Sequence, residues 1–86
     1  MIKITLKSGM EIEINEAVFD DFELIELYSK TAENPIYVAK LIEKLIGKDQ
    51  KKALCEHLRR EDGIVHTTDM FNAITEIEEA LPAVKN

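Results

Sequence analysis

Ile2-Lys3-Ile4-Thr5-Leu6-Lys7-Ser8-Gly9-Met10-Glu11-Ile12-Glu13-Ile14 places two alternating runs on either side of a glycine, and this pattern decides the fold class. Ile2, Ile4 and Leu6 alternate with Lys3, Thr5 and Lys7, and Met10, Ile12 and Ile14 alternate with Glu11, Glu13 and Asn15. Period 2 is the mark of half-buried strands, so residues 1–15 are expected to form a β-hairpin. The register is set by the faces. A two-residue Ser8-Gly9 loop sets Leu6 opposite Glu11 and mixes apolar with charged. A loop of Lys7-Ser8-Gly9 pairs Leu6 with Met10, Ile4 with Ile12 and Ile2 with Ile14. It also puts Gly9 where such a loop needs a left-handed residue and sets Lys3 opposite Glu13 on the solvent face.

Two strands are not stable alone in water, so the apolar face of the hairpin must pack on helices from the rest of the chain. Asp20 with Glu23 resembles a capping box, and Phe19 with Leu24 has the spacing of a hydrophobic staple, so a first helix is expected from Asp21. Its apolar side is Leu24, Leu27 and Tyr28, with Ile25 at the flank, and it stops before Asn34-Pro35. Asn34 then caps a second helix with Pro35 as its first residue. That helix carries Val38, Leu41, Ile42 and Leu45, widened by Ala39 and Ile46, and Gly47 ends it. Between Gly47 and Gly63 lies a charged segment. Asp49 caps a third helix there, with Ala53, Leu54 and Leu58 facing inward and Gly63 after Asp62 marking its end, and Ile64 and Val65 pack as the chain crosses over. Thr67 or Thr68 caps a fourth helix with Met70, Ile74, Ile77 and Leu81 at helical spacing, which Pro82 stops. The expectation is one α+β domain over residues 1–86: a hairpin (1–15) packed against about four helices (20–82), with a frayed tail (83–86).

The size agrees with one domain. A chain of 86 residues buries about 60–65% of its unfolded surface and has a stability of roughly 4–13 kcal/mol. With 45% hydrophobic and 33% charged residues it belongs with globular chains and not with disordered ones. No apolar run approaches the ~18 residues of a membrane span, and the start lacks the features of a secretory signal. Cys55 is the only cysteine, which excludes an internal disulfide and fits a reducing compartment. The place expected is the cytoplasm. The net charge of −6 is uneven: Lys40, Lys44, Lys48, Lys51, Lys52, Arg59 and Arg60 outnumber Glu43, Asp49 and Glu56 between positions 40 and 60.

The residues offer little catalytic chemistry. Asp20, Asp21, Glu23 and Glu26 supply hard oxygen ligands of the kind cations take, but acids in a first helical turn are accounted for by the macrodipole, and we prefer that account. Cys55 and His57 are two apart on a helix and point to different faces. With His66 they fall short of the four ligands of a structural zinc site. Gly9, Gly47 and Gly63 are isolated and each fits a turn or helix end, so no phosphate-cradling loop is present. Hence no catalytic, cofactor-binding or metal residue is assigned, no cofactor is expected, and the chain is expected not to be an enzyme. The basic 40–60 helices leave one alternative, a small nucleic-acid-binding regulator. Against it stands the acidic whole, and we prefer a solvated face partly neutralised by local acids.

The segment from Asp20 to Gly63 resembles a known family, the small tail assembly chaperones of long-tailed, siphovirus-type phages and prophages of Gram-positive bacteria. Asp21-Phe22-Glu23-Leu24-Ile25-Glu26-Leu27 is similar to the opening of their first helix. Asn34-Pro35 comes next, then Lys40-Leu41-Ile42-Glu43-Lys44-Leu45-Ile46-Gly47, similar to their leucine-rich segment. Gln50-Lys51-Lys52-Ala53-Leu54-Cys55-Glu56-His57-Leu58-Arg59-Arg60-Glu61-Asp62-Gly63-Ile64-Val65 resembles their helix closing in His-Leu-Arg-x-Glu-Asp-Gly. About half the chain matches in this way, through fold-defining residues, and no functional residue is carried over. The resemblance implies a non-enzymatic holdase in the host cytoplasm that binds the tape measure protein and keeps it soluble during tail assembly. The tail tube protein is a further partner on this view, and a homo-oligomer, ring or dimer, would suit it. No small-molecule or membrane partner is implied. Physically such a role needs a surface that covers an amphipathic helix. Tyr28, Tyr37 and Phe71 stand at helix edges, although core packing is preferred for each. In that family a longer form often arises by ribosomal frameshifting, in which case 86 residues would be the short form.

Overall fold

A computed structural model describes residues 1–80. Strands β1 (Ile2–Thr5) and β2 (Glu11–Ile14) pair antiparallel with Ile2 opposite Ile14, Lys3 opposite Glu13 and Ile4 opposite Ile12, the register expected. The loop is the longer one: Leu6 N donates to Met10 O at 2.8 Å, Gly9 N donates to Leu6 O at 2.8 Å, and Gly9 has φ 100. Ile4, Leu6, Ile12 and Ile14 are buried, while Thr5, Glu11 and Glu13 are exposed, so the alternation reports the two faces of the hairpin correctly.

The connection to the helices is itself structured. Asn15 Oδ1 accepts from Ala17 N and caps a 3-10 turn, Glu16–Asp20, which ends where Asp21 N donates to Val18 O. Asp20 is consumed in that turn, so the cap of α1 (Phe22–Glu33) falls one residue later than the capping box suggested. Asp21 is extended and its Oδ1 accepts from Glu23 N at 2.9 Å. Asn34 closes α1 through its N–H to Lys30 O, and its Oδ1 accepts from Ile36 N. Proline at 35 opens a 3-10 turn (Pro35–Tyr37) and not the α-helix itself, so α2 spans Val38–Ile46.

Gly47 ends α2 and serves as the N-cap of α3 (Lys48–Leu58), at φ 84 and ψ 163. Gly47 N donates to Glu43 O, and Gly47 O accepts from Lys51 N. Asp49 therefore lies inside the first turn of α3 and does not cap it. The third helix also stops at Leu58, with Arg59 as its C-cap. Gly63, at φ 80, closes a turn in the crossover instead, donating to Arg60 O. Helix α4 spans Thr67–Ala80, and Met70 N donates to His66 O, so its bonding begins one residue before Thr67. Leu81, Pro82 and the tail 83–86 lie outside the described residues. The helical part thus departs from four plain helices: two 3-10 turns precede α1 and α2, and one glycine alone separates α2 from α3.

One hydrophobic cluster holds these elements. It combines Ile4, Leu6, Ile12 and Ile14 of the hairpin with Leu24, Leu41, Ile42, Leu45, Ile46, Leu54, Ala73, Ile74 and Ile77. Helix α2 is central, touching β2, α1 and α3. Ala39 and Ala53, expected inside, are exposed, because the apolar arcs of α2 and α3 are narrower than a count of apolar residues implies. Ile64, expected to pack, is 55% exposed.

A polar contact that the sequence did not disclose completes the docking of the hairpin. The Gln50 side chain accepts from Glu13 N at 2.8 Å and donates to Glu13 O at 2.6 Å and to Ile46 O at 2.8 Å. Its amide pairs with the edge of β2 as a further strand residue would, occupying a backbone donor and acceptor that an edge leaves open. Two substitutions test the arrangement by urea denaturation. Gln50→Ala is expected to lower stability by about 1–3 kcal/mol, and Gln50→Glu to do no better, since a carboxylate accepts from Glu13 N but repels Glu13 O and Ile46 O. Ile12→Ala, at a fully buried position, should cost about 2–5 kcal/mol.

Candidate partner-binding surface

Asp21 and Glu23 of the candidate cation set, and both histidines of the candidate zinc set, have structural partners. Asp21 caps α1 and pairs with Lys44 at 3.0 Å, and Glu23 pairs with the same ammonium at 3.3 Å. Among the described residues no group of three or more His, Cys, Asp or Glu is placed to hold a metal ion. Cys55 is half-buried. His57 Nε2 lies 2.9 Å from Ser8 Oγ in the hairpin loop, and His66 Nε2 lies 2.7 Å from Asp62 Oδ2. Each histidine is thus engaged separately.

The segment His57-Leu58-Arg59-Arg60-Glu61-Asp62-Gly63 builds the crossover between α3 and α4. Arg59 bonds Glu56 at 2.8 Å and Gly63 O at 2.7 Å. Arg60 makes a two-pronged contact with Asp69 of α4, both arms at 2.9 Å, the geometry in which a guanidinium binds a carboxylate best. Asp62 Oδ1 accepts from Ile64 N at 2.8 Å, and Arg60 N donates to Ile64 O. With Leu58 packed against the core, the side chains of His57, Leu58, Arg59, Arg60 and Asp62 are all tied into the fold.

These contacts also divide the basic cluster. Lys44, Lys51, Arg59 and Arg60 are ion-paired with Asp21 and Glu23, Glu43, Glu56 and Asp69 respectively. Within the cluster, Lys40, Lys48 and Lys52 have no acidic partner among the described residues. The local surplus of positive charge is therefore largely neutralised, and what is left is three exposed lysines. The carboxyls of Asp21, Glu56, Asp62 and Asp69 are held below their ordinary range, chiefly by hydrogen bonds from Lys44, Arg59, His66 and Arg60 in turn.

Apolar exposure is concentrated elsewhere. Phe22 is 70% exposed, Ile25 59% and Ile36 75%. Ile25 is expected from its spacing at the edge of the buried side of α1, whereas Phe22 and Ile36 have no place in the expected core. The signal is present in the sequence: Phe22, Ile25, Ser29 and Ala32 recur at i, i+3, i+7 and i+10, one stripe of a helix, and all four are exposed. The inward side of α1 carries buried Leu24 and half-buried Leu27, Tyr28 and Thr31, and it adjoins the outer stripe where Tyr28 stands beside Ala32. The outer stripe places two large apolar side chains, Phe22 and Ile25, in solvent, and the core uses neither.

At Tyr28 and Ala32 the outer stripe meets a groove between α1 and α4. Its volume is about 240 Å³, and it is lined by Tyr28, Thr31 and Ala32 of α1, Val38 and Leu41 of α2, and Phe71, Ile74, Thr75 and Glu78 of α4. Tyr28, Tyr37 and Phe71 are all half-buried; Tyr28 packs against the core and Lys30 lies 5.7 Å from the Tyr37 ring centre. Tyr28 Oη and Thr31 Oγ1 are buried here without a hydrogen-bond partner. Burial, and second the Glu78 carboxylate, push the Tyr28 hydroxyl up to about 12, and burial also raises Glu78. Glu78 acts on Tyr28 by proximity, since no bond of ordinary geometry joins them.

Both sets of shifts predict a pH dependence. The four lowered carboxyls stabilise the fold above their unfolded values near pH 4, and this contribution is lost as pH falls through their folded values. Tyr28 behaves oppositely: its folded value is raised, so stability is complete below about pH 10 and declines as pH rises towards 12. Urea midpoints measured across pH should show both flanks, and Tyr28→Phe should flatten the alkaline one while leaving the acid one unchanged. Comparison of the chain with protein-family models, with curated proteins and with solved structures finds no match.

Proposed function

We propose that this chain is a tail assembly chaperone of a long-tailed phage or prophage, acting in the host cytoplasm as a protein-binding and non-enzymatic module. In this role it binds the tape measure protein and keeps it soluble until tail tube subunits enclose it. The working unit is the hairpin with helices α1 to α4. Two things support this: the run of matching segments from Asp21 to Val65, and the uncovered apolar stripe on α1. The second carries the argument. A holdase for a long helical protein needs an exposed apolar face before its partner arrives, and Phe22 and Ile25 of α1 are exposed.

A nucleic-acid role draws on the 40–60 helices, and four of their seven basic side chains are already paired with acids. Three lysines on a chain of net charge −6 supply little of the phosphate neutralisation that drives such binding. We therefore expect no mobility shift of DNA or RNA even at low salt.

The direct test is coexpression with the long helix-rich protein encoded next to this chain. Copurification and a soluble partner are expected. A partner that stays insoluble and unbound beside well-folded chaperone would remove the proposal.

A further inference from the structure

We infer that the outer stripe of α1, continued by the groove between α1 and α4, is a docking surface for an amphipathic helix whose apolar face is bordered by lysine or arginine. The apolar half of this inference comes from exposure. Phe22 and Ile25 are neighbours on one face, Ile25 leads to Tyr28 and Ala32, and these two line the groove with Phe71 and Thr75. Exposed apolar side chains at the start of α1 thus lead along one side of the helix to a groove of about 240 Å³.

The charged half comes from what borders this surface. On its solvent side α1 carries Glu26 and Glu33, both exposed, and Asp20 lies just before its start. Across the groove, Glu78 is a lining residue and Glu79 is exposed beside it. None of these five acids has an ion-pair partner among the described residues. Lys30, the one base on α1, lies over the Tyr37 ring. By contrast Asp21, Glu23, Glu43, Glu56 and Asp69 are matched by Lys44, Lys51, Arg59 and Arg60. Unmatched negative charge thus borders both sides of the apolar surface, and a helix with basic edges is its complement. A second copy of this chain would bring the same acids against themselves, which disfavours self-association through this face.

That the natural occupant is the tape measure protein rests on the function proposed above; the surface and its charge preference rest on the side chains named here. The test uses three synthetic peptides of about 18 residues, long enough to be helical on binding and to span α1. One has a leucine stripe with lysine edges, one the same stripe with glutamate edges, and one has the lysine composition with the stripe scrambled. Binding is read by fluorescence anisotropy against the full chain and against the double variant Phe22→Ser, Ile25→Asp. Both positions are exposed, so circular dichroism and the thermal midpoint should be unchanged, and Ile64→Ser serves as a control at an exposed isoleucine outside this surface.

The lysine-edged stripe should bind at least about tenfold more tightly than either other peptide, lose about tenfold or more in the double variant, and be unaffected by Ile64→Ser. Equal binding of the glutamate-edged peptide overturns the charge assignment. Equal binding to the double variant overturns the location. A wild-type chain that is dimeric by sedimentation and becomes monomeric in the double variant overturns the occupant in favour of a second copy. Coexpression separates this inference from the function: a tape measure protein that copurifies equally with wild type and double variant leaves the chaperone standing and removes the surface. Failure of wild type to hold that protein, beside tight lysine-peptide binding, does the reverse.

Discussion

The rest of the structure depends on the inability of a two-stranded sheet to stand alone. Ile4, Leu6, Ile12 and Ile14 present one apolar face, and nothing within the hairpin covers it. Helix α2 supplies the cover, since Leu41, Ile42, Leu45 and Ile46 fill both sides of its inward arc. The placement of its neighbours is then set by how it ends. Gly47, at positive φ, turns the chain without an intervening loop, so α3 starts beside the hairpin and Gln50 comes to the edge of β2. One glycine thereby places the amide that closes the sheet. A side chain at that φ would be strained although the space around it is open, so the demand there is conformational and not steric.

Polar residues divide into two groups by what they face. Those between α1, α2, α3 and the crossover are matched, Lys44 with Asp21, Lys51 with Glu43, Arg60 with Asp69. Individually such exposed pairs contribute little to stability, and their service here is to fix the angle at which α4 returns and the position of the α1 cap. The acids along the outer side of α1 and the end of α4 have no such task. The contrast matters because the protein is acidic overall: matched charge leaves the 40–60 region nearly neutral and moves the net negative potential to the α1 and α4 side.

Period-2 patterning makes the hairpin legible down to its register, because a one-residue slip exchanges core for solvent on every side chain. The buried face of α2 and the stops at Asn34-Pro35 and Gly47 are legible for the same kind of reason. The cap at Asp21 is not, because the capping-box spacing favours Asp20, and only the 3-10 turn at Glu16–Asp20 takes that residue out of the cap position. Ala39 and Ala53 depart from expectation because alanine is content on either side of a helix. Gln50 gives no sign, since an amide that reaches a strand edge 37 positions away leaves no local pattern. The outer stripe of α1 is hidden for a different reason: Leu24, Leu27 and Tyr28 satisfy the need for a core, Ile25 then reads as their flank, and Phe22 has no place in the pattern.

A surface of this extent sets the kind of binding it supports. Helix α1 has 12 residues, about 18 Å of axis, so one copy meets a partner helix over about three turns. On the function proposed above, a partner with many apolar stripes in sequence would take several copies, one at each stripe. The acidic borders contribute to the choice of which stripes are taken, because a stripe edged by carboxylates is repelled and one edged by lysines is drawn in.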